Sequence, residues 1–237
     1  VHSPHPSIIP PDMLLSAYRI GIFPMSDARD DPEVFWVEPK ERAIIPLDGF
    51  RCSASLAKVL KREKFTVTCN TAFSEVIAAC SAPRSPSDGS WISHRIEASY
   101  EMLHALGNAH SIECWQDGEL VGGLYGVGFD GVFCGESMFS RATDASKVAL
   151  AWLVAIMRHG EAQLLDCQFM TDHLASLGAV EMPQADYVKL LVEAQKSGKA
   201  AMPLPKAYAS LLSELSSEEA GASCPGKLIA QSLTQTS

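Results

Sequence analysis

With 237 residues and a mass of 25.5 kDa, the chain is long enough for a main domain with a small appendage, and that two-part division is expected. A hydrophobic share of 47% without any apolar run near the roughly 20 residues of a membrane span excludes a transmembrane helix. The formal net charge of −9 argues against a polyanionic partner for the chain as a whole, and seven scattered cysteines without a C-x-x-C pair exclude a disulfide framework or zinc ribbon.

The opening VHSPHPSIIPP has no basic-then-apolar signal design and reads as an unstructured lead-in, so a cytoplasmic protein is expected. Pro11-Asp12 followed by MLLSAYRIG predicts a short helix stopped by Gly21 and Pro24. A loop rich in Pro and Asp then runs through Phe35-Trp36 to Pro46, and residues 1–48 are assigned to a small N-terminal domain. Ser53 is placed as the cap of a basic helix ending near Glu63, before the strand FTVT and helical spacing from Thr71 to Cys80.

Between Pro39 and Lys64 lie 7 of the 19 basic residues, among them Arg42, Arg51, Lys58, Lys61 and Arg62. At physiological salt the screening length is about 8 Å, so such a cluster acts locally whatever the net charge. It fits either a solvated helix face or a patch for a polyanion. The turn-rich SAPRSPSDGS then delivers Trp91, whose ring suits either a core or a stacking platform for a base. A helix follows from Arg95 to Leu106.

The texture then changes to sheet. SIECW, ELVGGLYGVGF and VFCGESMFS, separated by turns at Asp117-Gly118 and Asp130-Gly131, predict three antiparallel strands. GVGFDG, Gly126 to Gly131, fits the letters G-x-G-x-x-G but runs into a strand rather than a helix, so it is not read as a pyrophosphate cradle. Asp144 is placed as the cap of an apolar helix from Ala145 to His159, followed by the strand QLLDCQ, a short helix at Asp172–Leu177 and another at Asp186–Lys196. The catalytic domain is assigned to 49–213, and the polar segment 214–237 is expected to be a disordered tail.

LLDCQ turns from apolar to polar, which predicts a buried strand whose end opens on a cleft, with Asp166 and Gln168 on one face and Cys167 on the other. In GESMFS, Glu136 and Met138 share a face if the strand is regular, and Gly135 is a candidate bulge. Asp166 and Gln168 also fit a pair that satisfies backbone groups at a strand end, and Glu136 a sheet-edge glutamate facing water. Neither H-E-x-x-H nor G-x-S-x-G occurs, so metalloprotease and common serine-hydrolase chemistry lack a foothold.

Taken together, AYRIGIFPM, FTVTCNTAFSEVIAAC, DGSWIS, LHALGNAHSIECW, LVGGLYGV, CGESMFSRATDASKVAL and LLDCQFMTDHLASLGA resemble, in order, the leucyl/phenylalanyl-tRNA protein transferases. The resemblance implies an α/β (α+β) protein with a GNAT-like mixed-sheet acyltransferase domain behind the small N-terminal one. It implies an enzyme without cofactor or metal that joins an amino acid from Leu-tRNA, Phe-tRNA or Met-tRNA to a protein beginning with Arg or Lys; a monomer is expected. Asp166, Gln168 and Glu136 become the catalytic candidates by motif match. Leu124, Phe133, Met138, Leu150, Leu153 and Leu165 become the aminoacyl pocket, and Trp91 lies near the 3′-terminal adenosine. The basic cluster then becomes a tRNA surface. The N-terminal stretch departs from the family pattern: PHPSIIPPDM replaces a glycine-rich opening, and Phe35-Trp36-Val37-Glu38-Pro39 replaces Trp-Trp-Ser-Pro. An acetyl-CoA-dependent N-acetyltransferase and a non-catalytic tRNA-binding module are the rival readings, the former weakened because SRATDASK lacks a glycine-rich turn.

Overall fold

A computed structural model describes residues 8–83, 89–196, 201–216 and 224–234. Residues 1–7 of the expected unstructured lead-in VHSPHPSIIPP and the middle of the SAPRSPSDGS loop, 84–88, lie outside these residues, but the rest of that lead-in is ordered: Ile9 is buried and its N–H donates to Ser99 Oγ at 2.9 Å. In chain order the elements are α1 (Pro11–Arg19), β1 (Phe23–Met25), β2 (Phe35–Val37), β3 (Glu41–Ile45), α2 (Ala54–Lys61), β4 (Thr66–Cys69), α3 (Phe73–Ser81), α4 (His94–Ala105) and β5 (Ala109–Gln116). There follow β6 (Glu119–Phe129), β7 (Val132–Ser140), α5 (Ala145–His159), β8 (Leu164–Gln168), α6 (Asp172–Ser176), β9 (Val180–Pro183), α7 (Gln184–Lys196), α8 (Leu204–Leu215) and α9 (Pro225–Thr234). None of these helices is long and apolar enough to cross a membrane.

The two predicted turns set the centre of the fold. Asp117-Gly118 and Asp130-Gly131 all have positive φ, as two-residue hairpins whose twist matches the flanking strands require. They close β5–β6 at Gln116↔Glu119 and β6–β7 at Phe129↔Val132. The resulting meander is the middle of a seven-stranded sheet ordered β4-β5-β6-β7-β8-β3-β9, antiparallel except for the parallel β7–β8 pair. A separate two-stranded sheet joins β1 to β2.

Alternation divides the core between the two faces of the sheet. Ile112, Leu124, Phe133 and Leu165 pack with α5 and with residues of α2, α8 and α9. Tyr125, Val127, Cys134 and Leu164 pack with residues of α1, α3, α4 and α7. α5 is buried on nearly every side, which explains its apolar sequence.

Three further expectations are corrected. β3 lies inside the assigned N-terminal domain yet pairs with both β8 and β9, because its Ala43, Ile44 and Ile45 are apolar enough to fill the large sheet. A boundary at residue 48 therefore leaves β3, a strand of the main sheet, on the N-terminal side. The tail expected to be disordered contains α9, whose Ile229, Ala230 and Leu233 recur at helical spacing and are buried against α2 and α5. Residues 217–223 and 235–237 of that segment lie outside the described part. Finally, Asp144 has a φ of 72° and its side chain does not cap α5; Ser140 Oγ accepts from the Ser146 amide instead, at 3.3 Å.

Candidate active site

The site forms where β7 and β8 part. Their pairing ends at Cys134↔Asp166, while β7 continues to Ser140. Two backbone irregularities flank the opening. The β6–β7 register passes from Gly126↔Gly135 to Tyr125↔Ser137, leaving Glu136 as the extra residue of a bulge. On β8, Gln168 has a φ of 62°, a left-handed conformation that is uncommon outside glycine. Gly126 allows the close approach on the bulged side: a Cβ there would sit 2.3 Å from the Cys134 carbonyl oxygen and 2.5 Å from the Phe133 ring.

The bulge corrects the expected facing of Glu136. A regular strand would set it beside Met138, but the extra residue sends Met138 to the α5 side and Glu136 to the α4 side, where it meets Tyr100. Tyr100 Oη donates to Glu136 Oε2 at 3.0 Å, and Gln168 Nε2 donates to Oε1 at 2.8 Å. Tyr18 Oη makes a short hydrogen bond with Tyr100 Oη. Burial pushes the Glu136 carboxyl up to about 7, against the opposing pull of hydrogen bonds from Tyr18, Gln168 and Tyr100. Burial, and then the Glu136 charge, push both phenols up, so they stay protonated donors.

Asp166 and Gln168 are placed differently. Asp166 is fully buried and does not line the opening. Its oxygens accept from Arg42 Nε at 2.9 Å, Arg42 Nη2 at 2.5 Å, Tyr187 Oη at 3.0 Å and the Gln168 amide N–H at 2.8 Å. Gln168 is the member of the pair that borders the cleft. Cys167 also borders it, but burial pushes its thiol up, away from a reactive thiolate at neutral pH.

The cleft has a volume of about 660 Å³. Leu124, Met138, Leu150, Leu153 and Leu165 line its apolar end together with Leu174; Glu136, Ser137 and Gln168 supply polar groups. Trp91 is half-buried on its wall, as are Met25 and Cys80. Five of the six expected pocket residues thus converge. Phe133 does not: its ring packs beside Gly126 and borders a different cavity of about 250 Å³.

Of the expected tRNA contacts, Arg51, Lys58, Lys61 and Arg62 are exposed on α2 and its flanks. Arg42 is the exception. It is fully buried against Asp166, so it cannot meet a polyanion at the surface. Sequence reading missed Tyr18, Tyr100 and Tyr187 in the site. Their spacing fits the buried stripes of their helices, and the only signal was that a buried phenol hydroxyl needs a partner.

The chain is similar to known proteins along nearly its whole length. The model of the leucyl/phenylalanyl-tRNA protein transferase family matches residues 44–192, and that of the family's N-terminal domain matches residues 8–40. The leucyl/phenylalanyl-tRNA–protein transferase of Novosphingobium aromaticivorans is 58% identical over 98% of this chain and 98% of its own. That of Rhizorhabdus wittichii is 60% identical over 77% of this chain and 74% of its own, and that of Zymomonas mobilis 56% identical over 81% and 71%. A mixed sheet with a small N-terminal unit, a cleft combining an apolar recess with a buried carboxylate and amide, and matches along nearly the whole chain lead to one conclusion: the chain belongs to the leucyl/phenylalanyl-tRNA protein transferase family.

Proposed function

We propose that this protein is a cytoplasmic, monomeric aminoacyltransferase that moves leucine or phenylalanine from aminoacyl-tRNA to the α-amine of a protein beginning with Arg or Lys, marking it for degradation. The observation that carries the reading is the shared cleft, in which an apolar recess and the Glu136–Gln168 pair lie side by side. The donor's side chain occupies the recess among Leu124, Met138, Leu150, Leu153 and Leu165. Trp91 offers a ring on the same wall for the terminal adenosine.

The ester of an aminoacyl-tRNA is already activated, so the reaction is direct aminolysis. The amine nitrogen bonds to the ester carbonyl carbon, the bond from that carbon to the ribose oxygen breaks, and a proton passes from the amine to the departing oxygen. An α-amine titrates at about 7.7 to 8.0, so part of it is neutral at cellular pH. Geometry then contributes most: effective molarities reach about 10⁵ to 10⁸ M, against roughly 10² to 10⁴-fold for acid-base assistance. Glu136, once ionised, attracts the acceptor's ammonium into the cleft. Gln168 commits its side-chain Nε2 to Glu136 and leaves its side-chain oxygen to accept from the amine. Exposed Arg51, Lys58, Lys61 and Arg62 hold tRNA phosphates.

The test presents three labelled donors, Leu-tRNA, Phe-tRNA and acetyl-CoA, to an Arg-initiated peptide. Label from the two tRNAs appears in peptide if the reading is right. Label from acetyl-CoA alone points to an acetyltransferase, and tRNA retention without transfer to a binding module; either contradicts it.

A further inference from the structure

Arg42 carries more structure than a surface cation in a basic run would need. Its guanidinium is fully buried between the ring of Phe23, 4.9 Å from the centroid, and that of Tyr187, at 4.5 Å. Nε and Nη2 form a two-pronged bond to Asp166, and Nη1 donates to the Gly21 carbonyl at 3.1 Å. Gly21 and Phe23 belong to the N-terminal unit, so one side chain touches that unit, β8 and α7 together. A buried ion pair gives little stability beyond what well-packed apolar side chains would give. What it does supply is direction, because a planar fork fixes a carboxylate in place and orientation.

The fixed carboxylate acts on a specific bond. Asp166 Oδ1 accepts the Gln168 amide N–H at 2.8 Å, where the backbone turns left-handed, and the Gln168 side chain reaches Glu136 from there. Such a backbone costs free energy in a non-glycine residue and persists only where its surroundings hold it. Phe23 also meets Phe169, the next residue, edge to face at 5.6 Å.

We propose that Arg42 is a positioning residue for the transfer reaction: through Asp166 it locks the left-handed backbone of Gln168 and so aims the Gln168 amide at Glu136 and the acceptor amine. Asp166, with its oxygens occupied by Arg42, Tyr187 and the Gln168 backbone, is a strut rather than the group that removes the amine proton. The inference rests on the aminoacyl-transfer reading.

The test is a double-mutant cycle on single-turnover transfer of leucine from Leu-tRNA to an Arg-initiated peptide, using Arg42→Gln, Gln168→Ala and the pair. Because Arg42 acts through Gln168, Arg42→Gln slows transfer about 100-fold in the wild-type background and less than about threefold when Gln168 is already Ala. KM for both substrates stays within about threefold. Arg42→Lys keeps the charge without the fork and recovers part of the rate. If Arg42→Gln does not fold, as judged by circular dichroism, the cycle is run with Arg42→Lys, for which about a tenfold loss is expected in the wild-type background alone. Losses that multiply across the cycle, an undiminished rate, or a loss confined to KM would each overturn the proposal. Absence of transfer by the wild type would overturn the function and this inference with it, whereas wild-type transfer with a multiplicative cycle removes only the inference.

Discussion

Glu136 is a carboxylate that the fold keeps away from water, so its titration links stability to pH. Its folded-state value of about 7 stands above the ordinary 4.5, meaning that the native protein binds this proton more tightly than the unfolded chain does. The stabilisation is complete below about 4.5 and is lost as pH rises to about 7, a change on the order of 3 kcal/mol. Glu136→Gln is therefore expected to flatten the decline of urea-unfolding stability across that window. The same substitution should slow single-turnover transfer about 10- to 100-fold and remove the rate limb near 7, leaving the limb of the amine itself. An unchanged pH–rate profile would show that Glu136 does not act on the acceptor. At this scale the sequence pointed to Glu136, Asp166 and Gln168, which the fold links by hydrogen bonds, but not to how their contacts divide between cleft and interior. Asp166 and Arg42 are separated by 124 positions, and nothing local joins a basic run to a buried strand. The Glu136–Met138 facing failed because an extra residue in a bulge shifts every side chain beyond it to the other face.

The β6–β7 bulge shapes the opening that the site occupies, whereas α9 does not border it. The β6–β7 bulge depends on Gly126, since any side chain there meets the Cys134 carbonyl and the Phe133 ring. Gly126→Ala is expected to destabilise the protein by about 1 to 3 kcal/mol in urea unfolding and to slow transfer, because relief of the clash moves β7. A neutral effect on both would mean that the bulge is not fixed by this contact. α9 lines no part of the cleft, and Gly226 lets it lie against α2, where a Cβ would sit 2.1 Å from the Leu60 carbonyl oxygen. Leu233→Ala should cost about 2 to 5 kcal/mol while leaving the transfer rate of the folded protein unchanged. The β5–β7 meander was legible because each turn pair announces itself chemically, whereas α9 was hidden between polar flanks that dominate its composition.

Across the whole molecule, the parting of β7 and β8 brings together the two faces of one sheet: the apolar recess beside α5, and the tyrosine and carboxylate cluster beside α1 and α4. The order of motifs implied this pairing of functions, but only the topology supplies the gap, where the parallel pairing of β7 with β8 stops at Cys134↔Asp166. The cationic face of α2 lies apart from the negative total, so tRNA affinity should fall with salt by a logarithmic slope of about 0.7 to 0.9 per phosphate neutralised. Replacing Arg51, Lys58, Lys61 and Arg62 with Ala should reduce that slope by about 3 in filter-binding titrations, and an unaltered slope would remove the cluster from the tRNA surface. The most direct measurement fills the recess. Met138 is only half-buried on the cleft wall, so Met138→Trp can enlarge into the space without overpacking the core. The account predicts that this variant binds Leu-tRNA like the wild type yet transfers leucine to an Arg-initiated peptide at least about 100-fold more slowly, through loss of oriented binding of the aminoacyl group. Wild-type transfer by a folded Met138→Trp protein would contradict it.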